Sequence, residues 1–405
     1  MKNQKFIRDS VHGNVILNEF EKEILDYPQM QRLRRLKQLG FINTIYPGAN
    51  HSRFEHCIGT MHLAGKLADY LNLEEYDKDL VRISGLLHDI GHGPFSHVSE
   101  FILPVPHEEI TAYVIKNTSI HDKLNEKFKI SEITDIIHGK GKLGAIVSGE
   151  LDVDRMDYLM RDSHYTGVEY GYIDIERLIS NLKLNNELIL DFKGVQAAEA
   201  LLVARYFMYP SVYQHHTTRI INSMFKRCLK TLTQEQDLKP LEMYKYDDID
   251  MISLCRNSTG YTKETIERID NRNLLKTQWK IDIKEFKHPE EIFKIKKETI
   301  EKAEIEISED LNIERENLFI NITEYPHFDE MKTQVELDNK LYHLNQISSI
   351  VKALNEARFN FPDISIYAPK EDSEKFKKFK IEHYLTLPER RKHYDVITLD
   401  QTKLT

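Results

Sequence analysis

Residues 86–97, LLHDIGHGPFSH, constrain the fold and chemistry of this chain more than any other segment. The mostly apolar run 81–87 fits a buried helix, and His88 and Asp89 stand together at its end before Gly91 breaks the pattern. An imidazole and a carboxylate at the edge of a core are costly unless something binds them. With the other histidines of the segment they could hold a divalent metal such as Mg, Mn, Fe or Zn; the alternative is an ordinary polar helix end.

Candidate partners for this pair lie upstream and downstream in the chain. His56 closes the segment 51–56, HSRFEH, and a pattern of helical period follows it. Asp154 belongs to residues 151–159, LDVDRMDYL, whose acids alternate too closely with apolar residues for all of them to face solvent. A metal held by these residues and the His-Asp pair would keep open positions for water or phosphate oxygens, lower the pKa of bound water and stabilise charge on phosphorus. Hydrolysis of a phosphoester is therefore the expected reaction.

Hydrolysis also needs a group that moves a proton near the metal. His92, His97 and His107 are candidates because imidazole titrates near neutral pH. Glu100 follows His97 by about one helical turn and could orient one of these rings. The usual fate of a single histidine is a hydrogen-bonded core position, but the number of histidines between residues 51 and 107 makes that explanation weak for the group.

The composition sets outer limits on the architecture and compartment. The 405 residues, 40% hydrophobic and 30% charged, can bury a large core and form two or three units. No run approaches the apolar length of a membrane span, and the first residues lead into a strand-like segment instead of a secretory signal, so we expect a cytoplasmic protein without membrane contact. Cys57, Cys228 and Cys255 are odd in number and widely spaced, which predicts reduced, structural thiols.

The formal charge of -9 argues against general binding of nucleic acid. An acidic protein can still carry a local basic pocket for an anionic substrate. Residues 31–38, QRLRRLKQ, are the candidate because apolar and basic residues mix there on one predicted helix. The alternative is an amphipathic surface helix, which would carry the same charges.

The first two parts of the chain are predicted to be mainly α-helical. Residues 1–50 read as a strand pair around His12 followed by a helix over 21–39. Residues 51–233 read as an almost entirely helical catalytic core, interrupted by a hairpin over 188–192.

The third part, residues 234–405, is richer in Lys, Glu and Asp and reads as a mixed α+β accessory region. A long helix is predicted over 288–305, and short strands over 318–322 and 363–367. This pattern is consistent with subunit contacts, with regulation or with both.

Several longer motifs surround the candidate ligands. They are DSVHG (9–13), QRLR (31–34), YPGANHSRFEH (46–56), GHGPFSH (91–97), DVDRMDY (152–158) and YQH (213–215). With the order His56, His88-Asp89, Asp154, they resemble the HD-domain dNTP triphosphohydrolases over residues 5–220. The chain is similar both to the bacterial enzymes and to the catalytic core of the animal enzyme that joins a SAM and an HD domain. The resemblance implies an HD-domain helical core that cleaves a dNTP at the α-phosphorus to give a deoxynucleoside and inorganic triphosphate.

The resemblance also assigns roles at the catalytic centre. The implied metal ligands are His56, His88, Asp89 and Asp154. His92 would lie against the α-phosphate, and His107 would be the acid or base with Glu100 as its carboxylate partner.

Substrate contacts are implied in two groups. Triphosphate contacts are implied for Arg53, His97, Arg155, Tyr158 and Arg205. Sugar contacts are implied for Gln38, Leu39, Asp162 and Tyr213. An aromatic ring under C2′ would leave no space for a ribose hydroxyl, which gives a deoxy preference. Two departures stand out, since Arg155 replaces a lysine of the animal enzyme and changes its geometry, and Tyr209 replaces a histidine.

Relatives in the family are regulated by nucleotides bound between subunits. The first regulatory pocket is implied for Asp26, Gln31 and Arg34, with GTP or dGTP as activator and a homotetramer as the assembly. A second pocket would align near Arg177, Asp191 and Lys193, where the acid Asp191 argues against a second triphosphate.

Two other functional classes compete with this hypothesis. One is another HD phosphohydrolase, such as a nucleotidase, a cyclic-nucleotide phosphodiesterase or a two-metal enzyme that uses His92 and His107 as extra ligands. The other is a nucleotide-sensing or nucleic-acid-binding protein with a vestigial site, which a lost ligand would indicate. No ligand of the pattern is lost.

Overall fold

The N-terminal segment of the computed structural model, which describes residues 5–326 and 332–391, begins with a β-hairpin. Its strands are β1 (Lys5–Asp9) and β2 (Gly13–Leu17), paired antiparallel so that Ile7 faces Val15. This confirms the strand pair predicted around His12. Residues 1–4 and 392–405 of the predicted terminal segments lie outside the described residues.

The single helix predicted over 21–39 is wrong. The structure has two short helices there, α1 (Glu19–Leu25) and α2 (Pro28–Arg32), and a 3-10 turn over Leu33–Arg35. Pro28 is the first residue of α2, and Tyr27 before it is extended at φ -68° and ψ 142°. The ring of a proline excludes the preceding residue from helical backbone angles, so a new helix has to begin at that point.

A helical layer follows, which confirms the mainly α fold class. Its elements are α3 (Arg53–Tyr70), α4 (Glu75–Leu87), α5 (His97–Glu100), α6 (His107–Asn117), α7 (Ile120–Asn125), α8 (Ile130–Ile137), α9 (Gly141–Val147), α10 (Val153–Thr166), α11 (Ile175–Ile179), β3 (Leu182–Leu184), β4 (Leu188–Asp191), α12 (Val195–Met208) and α13 (His216–Glu235). A hairpin is present as β3 and β4, but it begins at Leu182, so only its second strand falls within the predicted range 188–192. Helix α4 ends at Leu87 as the sequence indicated. A π-helical turn, Tyr209–Tyr213, joins α12 to α13.

The remaining chain mixes helices and strands, as predicted. It contains α14 (Asp248–Asn257), α15 (Gly260–Asp270), β5 (Lys276–Asp282), α16 (Lys297–Asp310), β6 (Phe319–Ile322), β7 (Gln334–Leu337), β8 (Lys340–His343), α17 (Leu344–Ile347), α18 (Ser349–Glu356) and β9 (Asp363–Ala368). Strand β9 lies between β5 and β6 in an antiparallel sheet, which we call the C-terminal sheet. In a second sheet, β7 pairs parallel to β4 and antiparallel to β8.

The long helix predicted over 288–305 is also wrong. A 3-10 turn, Pro289–Lys294, precedes α16, and the backbone between them is extended at Ile295. The extended backbone at Ile295 and Lys296 interrupts the hydrogen bonds that one continuous helix needs, and Ile292 on the turn and Ile307 on α16 both pack in the core of the C-terminal sheet. The strands predicted nearby are confirmed as β6 and β9.

The C-terminal sheet is tied to the helical layer by a buried ion pair. Arg219 on α13 donates to both carboxylate oxygens of Asp363 on β9 at 2.7 and 2.8 Å, and to Asn321 Oδ1 on β6 at 2.7 and 2.9 Å. Such a bidentate guanidinium-carboxylate contact fixes orientation as well as distance. The contacts of Arg219 therefore fix helix α13, which forms a wall of the candidate site, against the C-terminal sheet.

Two smaller observations complete the fold. The three cysteines are free and buried. Among residues 5–326 and 332–391, no helix combines the length and apolar character needed to cross a membrane.

Candidate metal and catalytic site

Three side chains from three helices converge on one point. His56 lies on α3, His88 caps the C-terminus of α4 and Asp154 lies in the first turn of α10. Their candidate ligand atoms all lie within 4.8 Å of one another. Asp154 Oδ1 is 2.9 Å from His56 Nε2 and 3.5 Å from His88 Nε2, and the two Nε2 atoms are 3.2 Å apart.

The hydrogen bonds behind the two imidazoles fit a metal site. His56 Nδ1 donates to Asp157 Oδ2 at 2.7 Å, and His88 Nδ1 donates to the Gly85 carbonyl at 2.8 Å. Because both Nδ1 atoms donate to acceptors, the two Nε2 atoms point into the group and lie 3.2 Å apart. A divalent cation would bind their deprotonated forms and so replace a proton held between these rings and Asp154. When bound there, a divalent cation would supply Lewis-acid stabilisation of charge on a phosphoryl group.

The electrostatics of the group also attract positive charge. Burial disfavours the charged form of His56, yet hydrogen bonds to Asp154 and Asp157 raise its pKa to about 10. Burial also opposes ionisation of Asp154, but His56 and His88 lower the pKa of that carboxyl. HD domains bind divalent metals, and this group of residues is able to hold one.

Asp89, the fourth predicted ligand, lies beside this group. Its Oδ1 is 3.4 Å from His88 Nε2 and its Oδ2 is 3.7 Å from His56 Nε2. Arg53 Nη1 donates to Oδ2, and His92 Nε2 lies 3.3 Å from Oδ1. Although burial opposes ionisation, Arg53 and His88 hold the pKa of Asp89 well below its usual range. Asp89 thus presents an ionised carboxylate to both imidazoles, and its ligation of a metal stays a prediction.

A buried charge network supports His56, and the sequence reasoning assigned it no role. Asp157 accepts from His56, from Arg161 at 2.9 Å through each oxygen, and contacts His12 Nε2 at 2.6 Å. A Cβ atom on Gly59 would lie 1.8 Å from Asp157 Oδ1, so only glycine lets the network approach α3 this closely. The available signal was the spacing, since Asp157 follows Asp154 by one turn and Arg161 follows Asp157 by one more.

A second cluster lies next to the metal group and contains the predicted proton-transfer residues. Glu100 Oε1 is 2.8 Å from His107 Nδ1, and Glu100 Oε2 is 3.1 Å from His97 Nδ1. The rings of His92 and His107 stack with centroids 3.9 Å apart. Burial, together with the positive charge of Arg53, holds the pKa of His92 well below its usual range, so His92 is neutral at pH 7. Burial opposes ionisation of Glu100, but His107 and His97 lower the pKa of its carboxyl.

The loop between α4 and α5 joins the two clusters, and it depends on a glycine. Gly91 donates through its backbone N–H to Thr111 Oγ1 at 3.0 Å, and that hydroxyl donates to the His88 carbonyl at 3.0 Å. A Cβ atom at Gly91 would lie 2.3 Å from the Thr111 nitrogen. The close contact with α6 thus explains the glycine that breaks the helical pattern after Asp89.

The end of the same loop is strained and is held in place from several sides. Phe95 and Ser96 have φ values of 56° and 54°, which non-glycine residues rarely adopt. Phe95 stacks on Phe41 with centroids 4.3 Å apart, and its N–H donates to Asp248 Oδ1 at 2.6 Å. Arg53 Nε donates to Ser96 Oγ at 2.6 Å. These contacts fix the start of α5, where His97 turns toward an open cavity.

The cavity has a volume of about 320 Å³ and collects many of the predicted substrate residues. Those among its lining residues are Gln38, Leu39, His97, Tyr158, Asp162, Arg205 and Tyr213. Its lining also includes Thr218, Asn222, Lys226 and Glu324, which the sequence reasoning did not assign. The last four come from α13 and the C-terminal region, where no motif marked them.

Two predicted triphosphate residues, Arg53 and Arg155, are not among the residues that line this cavity. Arg53 instead donates hydrogen bonds to Asp89, which lies beside the metal group, and to Ser96, which precedes His97 of the proton-transfer cluster. Arg155 Nη1 donates to the Glu150 carbonyl at 2.9 Å.

Two of the predicted sugar-binding side chains, Asp162 and Tyr213, are hydrogen-bonded to each other. Tyr213 donates its hydroxyl to Asp162 Oδ2 at 2.8 Å, and His51 Nε2 lies 2.8 Å from Asp162 Oδ1. The rings of Tyr158 and Tyr213 meet edge to face with centroids 6.1 Å apart. Burial and Asp162 raise the pKa of Tyr213 well above its usual range, so this hydroxyl stays protonated. His51 belongs to the motif YPGANHSRFEH (46–56), but the sequence predicted no role for it.

The residues of the two predicted regulatory pockets lie on the surface. Arg34 Nε donates to Gln31 Oε1 at 2.9 Å and its guanidinium lies 3.7 Å from the centroid of the Phe54 ring, while Asp26 caps α1. The break at Pro28 means that these residues do not share one helix, contrary to the sequence expectation.

The second predicted pocket is only partly assembled. Arg177 and Lys193 border a surface cleft of about 530 Å³. Asp191 accepts from Lys183 Nζ at 2.6 Å and is not among the residues that line the cleft.

Comparisons with protein families match both halves of the chain. The model of the HD domain matches residues 53–162, and the model of the HD-associated region matches residues 173–396. The first match contains the metal group and the proton-transfer cluster, and the second contains α13 and the C-terminal sheet.

Several proteins are similar over much of this chain. An uncharacterized protein of Methanocaldococcus jannaschii is 39% identical over 375 residues, which cover 91% of this chain and 80% of that protein. The deoxynucleoside triphosphate triphosphohydrolase SAMHD1 homolog of Dictyostelium discoideum is 32% identical over 68% of this chain and 60% of its own length. The human SAMHD1 triphosphohydrolase is 31% identical over 54% of this chain and 43% of its own.

Solved structures agree with this result. A hypothetical protein from Aquifex aeolicus superposes with a TM-score of 0.77 at 31% identity, covering 92% of this chain and 99% of that one. A phosphohydrolase from Bacteroides thetaiotaomicron gives a TM-score of 0.72 at 25% identity, covering 91% and 100%. This chain therefore belongs to the HD-domain phosphohydrolase superfamily and carries the HD-associated region in its C-terminal half.

Proposed function

We propose that this protein is a metal-dependent deoxynucleoside triphosphate triphosphohydrolase. The observation that carries the proposal is the convergence of His56, His88 and Asp154 beside a histidine-glutamate cluster that opens into the cavity. The similarity to dNTP triphosphohydrolases of Dictyostelium discoideum and human supports the choice of substrate.

The residues next to the metal group suit cleavage at the α-phosphorus. His92 is neutral and buried against Asp89, so its ring can bond a phosphoryl oxygen without carrying a charge of its own. His107, with Glu100 2.8 Å from its Nδ1, keeps its Nε2 atom for moving a proton. We assign to that atom the protonation of the departing 5′-oxygen or the deprotonation of the attacking water.

The cavity supplies groups for the rest of the substrate. We assign the triphosphate to Arg53, His97, Arg155, Tyr158 and Arg205, and the sugar to Gln38, Leu39, Asp162 and Tyr213. A 3′-hydroxyl can bond Asp162, while the Tyr213 ring under C2′ would exclude a ribose hydroxyl by clash. The predicted result is a preference for deoxynucleotides.

We also propose nucleotide regulation at a subunit boundary. Arg34 and Gln31 form one exposed polar unit near Asp26, with donors and acceptors suited to a guanine edge and its phosphates. GTP or dGTP bound there would promote a homotetramer by binding the assembly better than its parts.

One experiment tests the catalytic proposal. The protein is incubated with the four dNTPs and the four NTPs, with and without Mn²⁺ or Mg²⁺ and with and without added GTP, and the products are identified by ion chromatography. The proposal predicts inorganic triphosphate and deoxynucleoside from dNTPs only in the presence of metal. Stepwise orthophosphate, pyrophosphate or equal cleavage of NTPs would contradict it.

A two-metal phosphohydrolase is the second candidate, and a specific observation favours it. His92, His97, Glu100 and His107 also place ligand atoms within 4.8 Å of one another, which is close enough for a second ion. Metal analysis of the loaded protein separates the two hypotheses. One equivalent of metal supports the first, whereas two equivalents that fall to one in His107→Ala support the second.

A further inference from the structure

The cavity contains buried polar atoms that no protein group satisfies. Gln38 Oε1, Thr218 Oγ1 and Asn222 Oδ1 are buried without a hydrogen-bond partner among the described residues, and all three side chains line the cavity. Folded proteins leave few buried polar atoms unpaired, because each costs the free energy of a lost hydrogen bond. Their concentration in one cavity points to a bound ligand that supplies the missing partners.

Three of the polar side chains in this cavity come from one stripe of α13. Thr218, Asn222 and Lys226 are spaced by four residues, and residues at this spacing lie on the same face of a helix. The Lys226 ammonium group has no hydrogen-bond or carboxylate partner in the described part of the chain. The stripe thus offers a hydroxyl, an amide and a cationic donor in a row.

Apolar side chains also line this cavity. Ile42, Phe95 and Val98 line it together with the polar stripe. A flat ring between apolar walls, with its edge toward a few polar groups, is the usual arrangement of a binding site for an aromatic ligand. A nucleobase has this shape. The triphosphate and the sugar are assigned above to other residues of the lining, so the polar stripe and these apolar residues are available for the base.

We propose, on the basis of the proposed function, that Asn222 and Lys226 select keto bases, so that dGTP and dTTP are preferred over dATP and dCTP. Guanine and thymine present a ring N–H next to a carbonyl oxygen. The N–H would donate to Asn222 Oδ1 and the carbonyl would accept from the Lys226 ammonium group. Adenine and cytosine present an amino group at the carbonyl position, and an amino group facing an ammonium group leaves both donors unpaired.

The test compares kcat/KM for the four dNTPs in the wild type and in Lys226→Met, Asn222→Ala and Lys230→Met. Lys230 is the matched control, because it lies one turn further along α13 and pairs with Glu301 at 3.1 Å outside the cavity. We expect the wild type to favour dGTP and dTTP by about 10-fold or more. Lys226→Met and Asn222→Ala should each remove about 10-fold for these two substrates and leave dATP and dCTP within about 2-fold. Lys230→Met should behave as the wild type.

Two results would overturn the base assignment. One is equal kcat/KM for all four dNTPs in the wild type, and the other is an equal loss for all four in Lys226→Met, which would assign that lysine to the phosphates. If no dNTP is hydrolysed at all, the proposed function fails, and the base assignment is then decided by equilibrium binding of the four dNTPs to the same variants. Both cavity variants should unfold at the wild-type temperature, and Asn222→Ala serves as an independent test should Lys226→Met not fold.

Discussion

Replacing Asp157 with asparagine should weaken metal binding although Asp157 is not a proposed ligand. Its Oδ2 accepts from His56 Nδ1 at 2.7 Å, which fixes the tautomer and increases the basicity of Nε2. Asparagine keeps the shape and an acceptor oxygen but loses the charge. Removal of such a supporting carboxylate costs about 10- to 100-fold in metal affinity. Calorimetric titration of the metal-free protein with Mn²⁺ measures this loss.

The same substitution should destabilise the fold. Asp157 and Arg161 are fully buried, and Arg161 would keep Asp9, which accepts from its Nη1 at 2.9 Å, as its charged partner. Removing one partner of a buried ion pair costs roughly 3 to 5 kcal/mol, and the remaining carboxylate places the expected loss near the lower end. Urea unfolding at pH 7 measures it.

The destabilisation should depend on pH in a defined direction. Although burial opposes ionisation, Arg161, His12 and His56 hold the pKa of Asp157 well below its usual range. A carboxyl with a lowered pKa stabilises the folded state above its unfolded pKa of about 3.9, and this contribution is lost as the pH falls toward the folded value. The stability difference between the wild type and Asp157→Asn should be constant above about pH 5 and shrink below about pH 4.

Asp9→Asn is the matched control, because Asp9 also pairs with Arg161 but does not contact His56. It should lower stability while leaving Mn²⁺ affinity unchanged. Equal loss of metal affinity in both variants would refute the reasoning, because the effect would then follow from general loosening of the fold. Unchanged affinity in Asp157→Asn would refute it as well.

Three further predictions concern the proposed roles. Asp89→Ala and His56→Ala should each remove metal and activity together, and near-normal turnover with bound metal in elemental analysis would contradict the ligand assignment. His107→Ala should keep its metal and lower turnover by about 10²- to 10⁴-fold in steady-state kinetics, the usual contribution of a general acid or base; loss of metal would instead favour the two-metal site. Arg34→Ala should keep its metal but lose GTP-dependent activation and assembly in sedimentation, and a wild type that is already a tetramer and indifferent to nucleotides would contradict the regulatory proposal.

The sequence was sufficient for the parts of the molecule where local patterns determine local structure. The hairpin around His12, the end of α4 at Leu87 and the strands β6 and β9 follow from turn residues and hydrophobic period. The helix over 21–39 failed because Pro28 keeps Tyr27 out of helical backbone angles, which overrides the helical pattern around it. The helix over 288–305 failed because the backbone is extended at Ile295 and Lys296, and neither residue type is a local signal for a helix break.

The same distinction applies to the candidate site: residues marked by a local motif could be predicted, and residues that act through long-range contacts could not. His88 and Asp89 are adjacent in sequence, so their chemistry could be recognised directly. Asp157 was overlooked because its importance comes from long-range contacts with His56 and His12. The stripe on α13 was overlooked because its polar residues read as one side of an amphipathic helix until the cavity beside them is known.

Hydrolysis of a dNTP in water enriched in ¹⁸O tests the central claim most directly. If water attacks the α-phosphorus beside His56, His88 and Asp154, mass spectrometry should find one ¹⁸O atom in inorganic triphosphate and none in the deoxynucleoside. Label in orthophosphate or pyrophosphate, or in the 5′-hydroxyl of the nucleoside, would contradict the account.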